Sequence, residues 1–161
     1  TPAPQQGERI MAHTHVQYLS DTRYRTTVKY VGNAVANTNE LSLDVSILQG
    51  WQTGGIVNIA KIFWKTSGPS GGFDLIWDAG TDVIAFICEG TSGTYGYQPG
   101  QPAIVMPRVA VGTQPPGTPS GALPTGFTGD VFITNASATY TLVIEYHKIE
   151  SLLGQGGGWG A

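Results

Sequence analysis

Side chains of one character recur at every second position along much of this chain, and that spacing restricts the fold more than any other feature. Leu41, Leu43, Val45 and Ile47 alternate with Ser42, Asp44 and Ser46. Tyr24, Thr26, Val28 and Tyr30 alternate with Arg23, Arg25, Thr27 and Lys29, and Tyr140, Leu142, Ile144 and Tyr146 stand two apart near the end. A period of two lines one face of a pleated strand, whereas a helix needs a period near 3.6. Residue usage agrees: 12 Val, 12 Ile and 18 Thr make 42 β-branched positions out of 161, against nine Leu. Branching at Cβ suits a strand, and the 23 Gly and 10 Pro supply its turns. A helical bundle is excluded. So is a disordered chain, because 40% of residues are hydrophobic and the formal net charge is only −3.

Between these strands the pattern predicts others. Ile56 to Lys65 is apolar at both parities, with Val57, Ile59 and Phe63 set against Ile56, Ile62 and Trp64. It reads as a strand that is central or covered on both sides. Gly68 to Gly72 turns the chain, Phe73 to Trp77 runs back, and Asp78-Ala79-Gly80 turns it again into Val83 to Cys88, a hairpin. Ile104 to Val111 reads as an edge strand, since Pro107 would remove a ladder bond from a central one. Gln114 to Gly126 reads as a surface loop. Asp130 to Thr134 and Thr139 to His147 close the body, and Ile149 to Leu153 has room for one helical turn. Eight or nine short strands imply an all-β fold: one antiparallel β-sandwich or jelly-roll domain over 13–150. An extended N-terminal arm (1–12) precedes it and a Gly-rich C-terminal tail (151–161) follows.

Charge narrows the partners. Eight basic against eleven acidic residues, with no basic run beyond Arg23 and Arg25, point away from nucleic acid. No stretch approaches the run of about 20 apolar residues that a spanning helix needs, and the N-terminus has no basic-then-apolar leader, so no membrane partner is expected. Cys88 is the only cysteine and reads as a buried strand thiol.

The residues that suggest chemistry have simpler readings. His13 and His15 share a face if the strand is regular, but a metal needs further ligands and His147 is the only other histidine. Asp74, Asp78, Asp82 and Asp130 offer carboxylates for a glycosidase pair, yet Asp78 and Asp82 flank a turn where Asp bonds local backbone. Gly68-Pro69-Ser70-Gly71-Gly72 matches a nucleophile elbow in letters only, because a strand rather than a helix follows it. No catalytic residue, metal or cofactor is therefore expected. Trp64 and Trp77 read as core. Trp51, in a loop, reads either as partly buried or as an anchor for a protein partner or, with Tyr95 and Tyr97, a sugar. The two ends are composed like segments that order only against something else. Pro2 and Pro4 in the arm and Leu152, Leu153 and Trp159 in the tail are then contact residues, with a neighbouring subunit as the expected support.

From about Ile59 to Lys148 the sequence resembles a group of small structural proteins of tailed, mainly marine, bacteriophages. The matching residues are Ile62-Phe63-Trp64, Trp77-Asp78-Ala79 with Asp82-Val83, and Leu123-Pro124 leading to Thr128-Gly129-Asp130-Val131. Tyr140 to Glu145 and Lys148 follow the family's last strand. The resemblance implies a non-enzymatic virion protein, made in the host bacterial cytoplasm and assembled on the capsid surface. Its expected role is decoration or cementing of the head through the major capsid protein, as a homo-oligomer. A neck or tail protein is the alternative, and a carbohydrate-binding module or adhesin a further one.

Overall fold

In a computed structural model, the described residues are 13–32, 37–51, 55–67, 72–105, 125–135 and 139–149. They form nine strands: β1 (His13–Asp21), β2 (Arg25–Gly32), β3 (Asn37–Leu43), β4 (Ile56–Ser67), β5 (Gly72–Trp77), β6 (Val83–Glu89), β7 (Ser92–Tyr95), β8 (Val131–Asn135) and β9 (Thr139–Ile149). Five make one sheet in the order β1-β2-β9-β4-β7, and four make the other in the order β3-β8-β5-β6. Every pairing is antiparallel.

The pairings are nested. β5 pairs with β6, β4 with β7, β3 with β8 and β2 with β9, as in one long hairpin folded over onto itself. That wrapping splits successive strands between two sheets and is the arrangement of a jelly roll, with β1 added outside β2. The predicted all-β sandwich is therefore what the chain forms.

Burial follows alternation. Thr26, Val28 and Tyr30 from β2 and Tyr140, Leu142, Ile144 and Tyr146 from β9 are buried against Leu43, Phe73, Leu75, Trp77, Val131 and Ile133 of the other sheet. Trp64, Trp77 and Cys88 lie in this core as expected, and burial pushes the Cys88 thiol well up from its ordinary value. Gly32 and Gly93 occur where rings press on the backbone. A Cβ on Gly32 would overlap the Tyr140 ring, and one on Gly93 the Trp64 indole.

Two expectations need correction. Leu41 to Ile47 is not one strand: β3 ends at Leu43 and Val45–Ile47 forms a 3-10 turn. The cause is Asp44, whose carboxylate accepts from Ser46 N at 3.0 Å and from Ser46 Oγ at 2.6 Å. The two residues that look like a wet strand face are instead a cap, because short polar side chains compete with the ladder for backbone groups. Ile47 is left 65% exposed.

The second concerns which residues of β4 share a face. Its register slips between Ile59 and Lys61, so Ala60 is an extra residue in a β-bulge. The slip reverses parity, and Val57, Ile59, Ile62 and Trp64 all face the core while Phe63 points out, 38% exposed. β4 is central, as predicted, and its outer face is buried at Ile56 and open at Phe63.

Ile104 makes a two-way backbone bridge with Ile59, at 2.9 and 2.7 Å. The remainder of the predicted 104–111 edge strand, the turn at 68–71, most of the 114–126 loop and the helical turn after Ile149 lie outside the described residues. No helix among the described residues is long and apolar enough to cross a membrane.

Candidate interaction surfaces

The outward-facing residues of the five-stranded sheet can be read from its register. One row runs Gln17, Lys29, Val143, Phe63 and Thr94 across all five strands. Flanking rows hold Lys65 with Thr141 and Val31, Lys61 with Glu145 and Thr27, and Arg25 with His147. Four permanent cations thus share a face with one carboxylate, Glu145, which lies 2.9 Å from His147 and 3.9 Å from Arg25. Lys61 also stands over the Tyr97 ring at 5.4 Å. Sequence spacing hid this cluster. Basic residues scattered over 40 positions meet because β2 and β4 both flank β9.

The four-stranded sheet turns out a different surface. Leu41 pairs with Phe132, Phe132 with Ile76, and Ile76 with Ile84, but Ile76 is buried, so the open part of this apolar row is on β6. Ile84 is 55% exposed and Ile87 beside it 47%. Single exposed apolar residues are ordinary, but Ile84 and Ile87 stand side by side on one face and form an open apolar pair there. Asp74 and Glu89 are the outward charges, and none of the four strands contains a Lys, Arg or His.

At one end of the sandwich, the even parity of Tyr140, Leu142, Ile144 and Tyr146 carries Lys148 inward as well. Its side chain has no solvent exposure. The ammonium donates to Asp21 Oδ1 at 2.5 Å and to the carbonyls of Thr22 at 2.5 Å and Gln49 at 2.8 Å. Asp21 Oδ2 accepts from Gln49 N at 2.9 Å, so one ion pair ties β1, β9 and the stretch after the 3-10 turn together. Deeper in, Tyr30 Oη donates to the Ser42 carbonyl at 2.8 Å and lies 3.0 Å from Tyr146 Oη. With its one proton used on that carbonyl, Tyr30 accepts from Tyr146. Burial raises the pKa of both phenols.

Three of the four aspartates hold loops and turns in place. Asp82 Oδ1 accepts from Ala79 N at 3.1 Å, and Asp78 Oδ2 from Thr128 Oγ1 at 2.6 Å. Asp130 accepts from Val45 N at 3.0 Å, and burial raises its pKa against the opposing pull of that bond. The register slips between His13 and His15, which breaks the spacing that would align them. No cluster of three His, Cys, Asp or Glu suited to a metal occurs among the described residues. An open depression of about 290 Å³ between β2, β4 and β9 is lined by Val31, Gly32, Lys65, Tyr140 and hydroxyl residues, without a carboxylate.

Of the contact residues read from sequence, Trp51 is half-buried against the core, and its indole N–H finds no acceptor among the described residues. Tyr95 is taken up by Phe86 and by a 2.7 Å bond to the Pro102 carbonyl, while Tyr97 remains exposed. Pro2, Pro4, Leu152, Leu153 and Trp159 lie outside the described residues. No family model, curated protein or solved structure matches the chain.

Proposed function

We propose that this chain is a non-enzymatic structural component of a tailed-bacteriophage virion, a decoration or cement protein that binds the major capsid protein and bridges neighbouring capsid subunits. The observation that carries the reading is where the two terminal segments attach. β1 begins at His13 opposite Gly32, and β9 ends at Ile149 opposite Ile56. Because β2 and β9 are antiparallel, with Gly32 beside Tyr140 and Arg25 beside His147, those points lie at opposite ends of the five-stranded sheet. A rigid body with an attachment at each end spans a joint between two neighbours. Many copies on a lattice then add avidity to weak single contacts. The jelly roll supports this by analogy alone, since capsid and lectin domains both use it.

The test is deletion of residues 1–12 and of 151–161, followed by co-sedimentation with purified particles. Each truncated protein is expected to stay folded and soluble while losing particle binding. Binding that survives both deletions would sink the reading.

A further inference from the structure

We propose that copies of this chain associate head to tail, the cationic outer face of the five-stranded sheet resting on the apolar, anionic outer face of the four-stranded sheet of the next copy. This does not rest on the virion reading.

Each face is a poor partner for itself. Two cationic faces would bring Arg25, Lys29, Lys61 and Lys65 against the same four cations, with only Glu145 to offset them. Two apolar faces would bury Asp74 and Glu89 with no cation from any of their strands. Like charges forced together at a contact disfavour it, and opposite charges fix both partner and register.

Matching the unlike faces removes both problems. Phe63 and Val143 form an apolar centre among the lysines of one face, and Ile84 and Ile87 an apolar centre beside Asp74 and Glu89 on the other. Pleated faces pack about 10 Å apart through such side chains. The two faces lie on opposite sides of one sandwich, so each contact leaves an unlike pair free at the ends and the association propagates.

The experiment is sedimentation velocity on the full chain with two surface variants, one per face: Lys29→Glu with Lys65→Glu, and Ile84→Ser with Ile87→Ser, which leaves the two altered faces both anionic. Wild type is expected to sediment faster as concentration rises and to lose that dependence on adding salt. Each variant alone is expected to remain monomeric. Mixed in equal amounts they are expected to give a 1:1 complex and nothing larger, because only one intact pair of faces remains. Circular dichroism of each variant separates lost contact from lost fold. Should the charged variant misfold, Phe63→Ser makes a lesion on the same face without charge. A wild type that stays monomeric up to about 1 mM, the weak end of specific association, would overturn the proposal. So would variants that fail to pair when mixed, or association that either variant alone leaves intact.

Discussion

The five-stranded sheet sends Thr26, Tyr30, Tyr146 and Lys148 into the core, whereas the four-stranded sheet sends in Leu43, Phe73, Leu75, Trp77, Val131 and Ile133. On their outer faces the contrast reverses. The sheet that buries an ammonium is cationic outside, and the sheet whose buried polar side chains include Glu40 and Ser42 of β3 leaves Ile84 and Ile87 in water. Buried hydroxyls and an ammonium need partners in fixed places, so they select one alignment of the sheets, which apolar side chains of suitable size do less strictly. One sheet is specified by bonds made within the chain. The other carries the exposed Ile84 and Ile87 that the proposed head-to-tail contact would cover.

Replacing Lys148 by Met attacks this difference most directly. The substitution keeps the apolar stem but strands the Asp21 carboxylate and the Thr22 and Gln49 carbonyls at 2.5–2.8 Å from where the ammonium stood. A loss of about 3 kcal/mol in urea unfolding is expected, the scale for removing one partner of a buried pair. A neutral result would mean that this ion pair adds nothing to packing at its end of the sandwich. Tyr30→Phe should cost less, about 1 kcal/mol, since it removes the bond to the Ser42 carbonyl and an acceptor for Tyr146 but leaves the ring in place. The same melts would detect it.

The smallest effect belongs to the approach to β8. Burial raises the Asp130 pKa above its ordinary 3.8, so the folded state holds the proton more tightly than the unfolded chain. Its contribution therefore favours folding at pH values below 3.8 and is lost as pH rises through the raised value. Asp130→Asn should remove that slope while keeping an acceptor for Val45 N. Plotting the melting difference between the two proteins against pH gives the check. A difference that grows more favourable to wild type with rising pH would reverse the sign argued here.

Much of the fold was legible because alternation reports burial directly, as in Thr26 to Tyr30 and Tyr140 to Tyr146. It misled where a single residue changed parity. Ala60 gives no signal as a bulge, so Phe63 and Ile62 exchange the roles that counting by twos assigns. Asp44 and Ser46 fit a wet strand face as well as a cap, and only the bond between them decides. β7 escaped notice since Ser92 to Tyr95 is four residues long and holds one apolar ring. The interaction surfaces were the least legible part. Lys29 and Lys65 lie 36 positions apart, and Leu41 and Ile84 further still, so both faces exist only through strand order. Lys148 is the exception, for it shares the parity of the core residues before it.

The segregation of charge also makes the molecule chemically two-sided. The chain has four lysines, and the three that are not buried, Lys29, Lys61 and Lys65, all stand on one outer face. A probe that reacts with lysine amines will therefore label that face and leave the face with Ile84 and Ile87 unlabelled. Trypsin meets the same asymmetry, since no Lys or Arg occurs between Lys65 and Arg108, and β5 and β6 leave the unfolded chain together in one peptide.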